Sequence, residues 1–225
     1  MKVFSRHIFV LLLIITNFLK GFGQDKITML NGNELFGRII DTTFMDVSFQ
    51  EKAGSKTSKV ERYRDFSINW ENKESILYKQ DTLLGNFYTE HEMRMFVNGE
   101  QDAIKNYKSP LIIPGGIIAG IVGGFVQPLL VQSMAPSDPT KENPYKIAAR
   151  PIFTPIVPII YCTIIGAKWI KIKKHHVGNP LYLSEDTYIE GFDRSARSHR
   201  IQRAFWSSAI GLVAGLATSA IISTN

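Results

Sequence analysis

The residue types that carry chemistry fall into three groups in this chain: histidines near carboxylates, a dense run of cations, and a few polar side chains inside apolar stretches. His91 lies between Glu90 and Glu92, a composition suited to a metal ion. Neighbours in sequence do not face one another on a helix, however, so these three read as a solvated face. His175-His176 is far in sequence from His199 and has no metal-ligand spacing. No metal and no cofactor is expected. The cations are more informative. Lys168–His176 interleaves basic and apolar residues, a pattern that lies on anionic lipid headgroups at about 1 kcal/mol per cation. Arg194, Arg197, Arg200 and Arg203 recur every third residue, a spacing that drifts sideways on a helix into a curving band. Together with Lys171, Lys173 and Lys174 they form a candidate lipid-phosphate contact. The plainer reading is that they snorkel and anchor the end of an apolar helix.

The elements that would carry these groups are three apolar runs, Leu111–Val131, Ile152–Ala167 and Ala204–Ser223. Beyond the small hydroxyls of the last run, their polar side chains are Gln127, Thr154, Tyr161, Cys162 and Thr163, and none is charged. Intramembrane enzymes and ion-coupled transporters usually place ionisable residues at that depth. Cys162 is the single cysteine, so no intramolecular disulfide forms, and it reads as a small hydrophobe. Two runs carry a small residue at every fourth position: Gly116, Gly120 and Gly124 in the first, and Ser207, Gly211, Gly215 and Ser219 in the last. On a helix each set falls on one stripe, where another backbone can approach closely. The middle run follows Pro151 and contains Pro155 and Pro158, which remove hydrogen-bond donors and kink or break its first turns. The expected assembly pairs the first helix with the last and sets the Pro-rich segment beside them.

Composition divides the chain in two. Gln24–Ser109 holds 12 Lys/Arg and 14 Asp/Glu, whereas Pro110–Asn225 holds 11 Lys/Arg and 6 Asp/Glu beside nearly all the apolar runs. A basic, apolar half points to membrane contact before nucleic acid. Residues 1–23 read as a secretory leader, with Lys2 and Arg6 ahead of the short apolar Ile8–Ile15, and Gly21 and Gly23 before a cut at Gln24. The alternative is an uncleaved anchor. In either case the residues up to Ser109 begin outside the cytoplasm. Positive-inside counting then conflicts with three crossings, because the loop Lys168–Arg203 holds eight Lys/Arg against three in Gln132–Arg150. Charge favours two crossings and apolar content favours three.

Residues 24–84 read as a small β-domain. Six short strands are expected at Lys26–Leu30, Glu34–Asp41, Met45–Gln50, Lys59–Arg62, Phe66–Trp70 and Ser75–Lys79, with Asn31-Gly32-Asn33 as a hairpin turn. They suggest a compact antiparallel barrel or curled sheet. The pattern of strand, Asn-Gly turn and bent strand over Lys26–Trp70 resembles the Sm/SH3-like small barrels, with Gly37 supplying the bend. The net negative charge of the domain gives no footprint for nucleic acid, so the resemblance implies the shape alone. Phe44, Phe49, Phe66 and Trp70 read as core, with a binding groove as the alternative. Residues 85–109 read as a helical adapter that opens on the capping box Thr89-Glu90-His91-Glu92 and is interrupted at Asn98-Gly99.

Two longer patterns, Glu92-Met93-Arg94-Met95-Phe96-Val97-Asn98-Gly99-Glu100-Gln101-Asp102-Ala103 and Gly191-Phe192-Asp193-Arg194-Ser195-Ala196-Arg197, join the leader, β-domain and glycine-rich segments. In this combination the chain resembles a family of uncharacterised envelope proteins of Bacteroidota, from which it departs by inserting residues between Asn179-Pro180 and Gly191. The resemblance implies no activity. The expected class is α+β: a small antiparallel β-barrel-like domain, short helices, and a membrane bundle of about three apolar helices over 110–225. The expected function is a non-enzymatic envelope protein whose β-domain binds a partner and whose striped helices mediate assembly, with membrane lipid and a second copy or envelope protein as partners. The alternatives are a membrane enzyme acting on lipid or glycan, or a small transporter component.

Overall fold

The computed structural model describes residues 25–52, 54–70, 73–134 and 154–224. The expected leader and most of the loop between the first two apolar runs lie outside them. The chain is α+β, a six-stranded antiparallel sheet followed by four α-helices among the described residues, and it divides into two compact units between Val97 and Asn98.

The first unit contains β1 (Asp25–Met29), β2 (Glu34–Thr42), β3 (Asp46–Gln50), β4 (Ser58–Glu61), β5 (Asp65–Trp70) and β6 (Lys73–Ile76), in the order β4-β3-β2-β1-β5-β6. The β1–β2 turn is the expected one: Gly32 has φ 73°, the Met29 amide donates to the Asn33 carbonyl at 2.9 Å, and the Asn33 amide donates to Asn31 Oδ1 at 3.2 Å. Among the described residues β4 and β6 are the sheet's two edges, so its hydrogen bonding is open where a barrel would close. Two register slips curl it. One lies in β2 between Ile39 and Asp41. The other makes Thr28 face Ser67 and Met29 face Asp65, leaving Phe66 as the bulge. The curl gathers Ile27, Ile39, Val47, Phe49 and Ile68 into one core. Phe66, turned by its bulge, joins Tyr78, Met93, Phe96 and Val97 in a second. Gly37 is required for close approach of β3, because a Cβ there would meet the Gln50 carbonyl and lie 2.7 Å from the Phe49 ring, while the irregularity in β2 lies beyond it between Ile39 and Asp41. Of the four aromatics expected in the core, Phe49 and Phe66 are buried and Trp70 packs against it, but Phe44 is 87% exposed at the β2–β3 turn. The last strand ends at Ile76 instead of Lys79, because the Leu77 and Tyr78 amides both donate to the Phe66 carbonyl and leave the ladder.

Helix α1 (Glu90–Asn106) begins at the expected capping box. The Thr89 amide donates to Glu92 Oε2 at 2.7 Å and the Glu92 amide to Thr89 Oγ1 at 3.3 Å. The Thr89 amide and hydroxyl, both donating to Oε2, hold the Glu92 carboxyl below its ordinary range. The expected interruption at Asn98-Gly99 is corrected: the helix runs through both residues. Gly99 is there for close approach, since a Cβ would collide with the Tyr188 carbonyl and lie 2.9 Å from the Phe192 amide.

In the second unit, α2 (Ile112–Met134), α3 (Ile156–Ala167) and α4 (Asp186–Thr224) pack on one another. Three of the four prolines sit where helices tolerate them, whereas Pro128 lies in the interior of α2. Pro114 is in the first turn of α2, Pro155 precedes α3 and Pro158 is in its first turn, so α3 starts late instead of kinking. By length and composition one helix among the described residues, Asp186–Ile221 within α4, is long and apolar enough to cross a membrane. Ile112–Phe125 and Ile156–Ala167 are shorter apolar stretches, so a membrane bundle of about three helices is more than the described residues carry.

Candidate functional site

The small-residue stripes face each other. A Cβ on Gly116 would collide with Ser207 Oγ, one on Gly120 would meet the Ser208 carbonyl, and one on Gly124 would lie 2.7 Å from the Leu216 amide nitrogen. From the other side, Gly211 abuts the Ile117 carbonyl and a Cβ on Gly215 would lie 2.6 Å from that of Ile121. Ser207 keeps its own hydroxyl occupied on the Ala204 carbonyl at 3.1 Å. Ser219 is half-buried one turn further on. Residue numbers rise together along this seam, so α2 and α4 are parallel. The return is made by α3, for Gly123 lies against Thr154, Val157 and Pro158, and the Tyr161 hydroxyl donates to the Ile112 carbonyl at 2.7 Å.

At the end where α2 begins, the two motif stretches of the sequence meet. Ala103 packs with Phe192 and Ala196, and Asp102 accepts from the Tyr188 hydroxyl at 2.6 Å and the Gly178 amide at 2.8 Å. Glu100 is 3% exposed. Its Oε1 lies 3.9 Å from Arg194 Nε, while Oε2 has no hydrogen-bond partner among the described residues. Burial raises this carboxyl to about 7 against the lowering effect of Arg194.

Beside this contact is a cavity of about 880 Å³. The chain reaches it from α3 through an irregular stretch with strand-like alternation. Ile170 and Ile172 pack inward against the Ala103–Phe192–Ala196 cluster, and Lys168, Lys171 and Lys173 line the cavity. Lys105 and Lys108 line it from the end of α1, and Arg200 from α4, with no Asp or Glu among the described residues of the lining. Arg200 is 5% exposed. Its Nη1 donates to the Lys168 carbonyl at 2.9 Å, and it forms no ion pair among the described residues. His176 is buried against Tyr107 and Phe192, and burial followed by the His175 and Lys173 charges lowers its pKa.

The arginine band separates as its spacing drifts around α4. Arg197 pairs with Asp193 at 2.8 Å and donates to the Gly166 carbonyl, Arg194 lies against Glu100, and Arg203 is exposed. Arg200 turns into the cavity with Lys171 and Lys173, whereas Lys174 lies outside its lining. Lys168, the first residue of the expected headgroup stretch, joins them, whereas Lys105 and Lys108 were not expected at this site. The signal available for those two was a pair of lysines ahead of the first apolar run. Among the described residues His91, His175, His176 and His199 do not join in a three-ligand cluster. In the sheet unit Asp65 is 1% exposed, and neither carboxylate oxygen has a hydrogen-bond partner among the described residues. Comparison of the chain with protein-family models, curated proteins and solved structures finds no match.

Proposed function

We propose that this is a non-enzymatic membrane protein of the bacterial cell envelope, of the Bacteroidota type its motifs resemble. Its helical unit is embedded in lipid, and its sheet unit is held outside the cytoplasm to engage a protein partner. The observation that carries the reading is the α2–α4 seam. In lipid, apolar side chains gain nothing by leaving a solvent as apolar as themselves, and close backbone contact over small residues is what holds helices together. Exposed Phe44, Met45 and Tyr63 on the sheet unit support a partner surface there. Because the stripes are filled within one chain, association with a second copy would use another face.

The parallel seam also bears on topology. Two parallel helices need a return crossing, which favours three passes, with α3 and the residues before it coming back. The basic stretch Lys168–Arg203 then shares a side with Asn98–Ile112, against the positive-inside rule if the leader exports that side. In a cysteine-free chain, a cysteine at Asn179 is expected to label from outside and one at Ser137 to be protected. The reverse pattern would place the sheet unit in the cytoplasm and overturn the leader, and equal labelling of both would break the parallel seam.

The seam is tested by Gly120→Leu and Gly211→Leu in neutral detergent. Each is expected to abolish the protease-resistant helical fragment, an overpacking effect of about 3 kcal/mol or more, whereas Ser219→Leu keeps it. Full resistance in both glycine variants would remove the basis of the proposal, as would release of the protein from membranes by alkaline carbonate.

A further inference from the structure

We infer that the basic cavity of the helical unit is a receptor for a phosphate-bearing anion, and that its occupant is the headgroup of an anionic phospholipid. Arg200 makes the first argument. A guanidinium has five N–H donors and cannot shed its proton, so burial leaves its charge in place. Among the described residues this one is nearly sealed from solvent and meets a single carbonyl. A buried cation without a counter-charge is strongly destabilising, and the other groups lining this cavity make matters worse, because Lys168, Lys171 and Lys173 add charge of the same sign. Repulsion of that kind is relieved by an anion with several acceptor oxygens, and phosphate matches a guanidinium fork backed by point-charge ammonium groups.

The second argument concerns which phosphate. One wall of the cavity is apolar: Leu111 and Ile112 at the start of α2, Ile165 near the end of α3, and Trp169. Leu111 and Trp169 are largely exposed. A free phosphate ion gains nothing from that wall, whereas a lipid lays its glycerol and upper acyl carbons on it. The wall also lies where the apolar parts of α2 and α3 meet the polar chain, the level at which headgroups sit if these helices are in a bilayer. The phosphate part of the inference stands without a membrane, and the lipid part rests on the membrane reading above.

The test uses the full chain in neutral dodecyl-maltoside micelles, titrated with phosphatidate, phosphatidylglycerol, phosphatidylcholine or inorganic phosphate and read by native mass spectrometry. One anionic lipid per chain is expected, bound about tenfold or more tighter than phosphatidylcholine. The pair Lys171→Gln/Lys173→Gln lies on exposed positions and is expected to fold, as checked by circular dichroism, and to lose that preference. Arg200→Gln is expected to lose it too, and Lys174→Gln, outside the lining, to retain it. Equal binding of phosphatidylcholine, or an unchanged preference in the double lysine variant, overturns the site. Inorganic phosphate that binds as tightly as phosphatidate overturns the lipid assignment. A chain that stays soluble without detergent yet binds phosphate would refute the membrane reading and leave the phosphate site standing.

Discussion

The sheet unit hides a carboxylate and the helical unit hides a guanidinium, and the two groups differ in what they can do about it. Asp65 opens β5 with both oxygens unbonded among the described residues, and burial, opposed by Arg64 and Arg62, raises its carboxyl to about 7. It can escape its predicament by taking up a proton. Arg200 has no such exit, because a guanidinium does not give up its proton in a protein. A buried acid is therefore a matter for the pH of the solution, and a buried arginine is a matter for a second molecule. The same comparison holds within the helical unit. Glu100, also raised to about 7, lies against Arg194 and can neutralise itself, so it makes no comparable demand for a ligand.

Three substitutions sharpen or break this contrast. The largest effect is expected at Arg200. Arg200→Met, measured by thermal unfolding in neutral detergent free of anionic lipid, should stabilise the helical unit by about 1–4 kcal/mol, because it removes an uncompensated charge. Adding phosphatidate should then stabilise the unsubstituted chain and leave the variant unmoved. A destabilised variant in lipid-free detergent would mean that Arg200 is satisfied by the fold alone.

Next comes Asp65. Its folded pKa of about 7 exceeds the ordinary 3.8, so between those values the folded state binds more protons than the unfolded one. Stability therefore falls as pH rises through that window, and the penalty is complete above it. Asp65→Asn should stabilise the sheet unit by roughly 1–3 kcal/mol at pH 8 and hardly at all at pH 4. Trp70 fluorescence, in a chain carrying Trp169→Phe and Trp206→Phe, reports the sheet alone. A pH-independent gain would show that the carboxylate is solvated in solution.

The smallest effect is at the capping box, where charge is exposed and paired. Thr89→Ala should cost about 1 kcal/mol by denaturant unfolding at pH 7 and still lose stability on lowering the pH below the Glu92 range, since the hydroxyl bond to the carboxylate is gone but the amide bond remains. A loss larger in magnitude than the gains at Asp65 and Arg200 would reverse the ranking of buried over exposed charge.

Features decided within a few residues were legible in the sequence. The Asn31-Gly32 turn and the Thr89–Glu92 cap each depend on local geometry, and the helical stripes depend on a period that can be counted. Gly99 was misread because its reason is ninety residues away: glycine after asparagine looks like a break until the backbone of Tyr188 is set against it. Phe44 has the type of a core residue, yet it falls on a turn, where no strand face claims it. Of the cavity, the lysine alternation and the arginine spacing could be read, but the isolation of Arg200 could not. Whether a cation is paired depends on where the carboxylates of other elements end up, and spacing along one element holds no record of that.

The parallel seam has a consequence for synthesis. Gly116, Gly120 and Gly124 are made long before the residues that fill their groove, and roughly ninety residues separate the two stripes. At ~5–20 residues per second the groove of α2 stands empty for several seconds while α3 and the first half of α4 are still being added. Throughout that interval any finished copy of α4 whose own seam has opened fits it equally well. Crowded ribosomes on one message are thus the condition under which two of these chains would exchange helices.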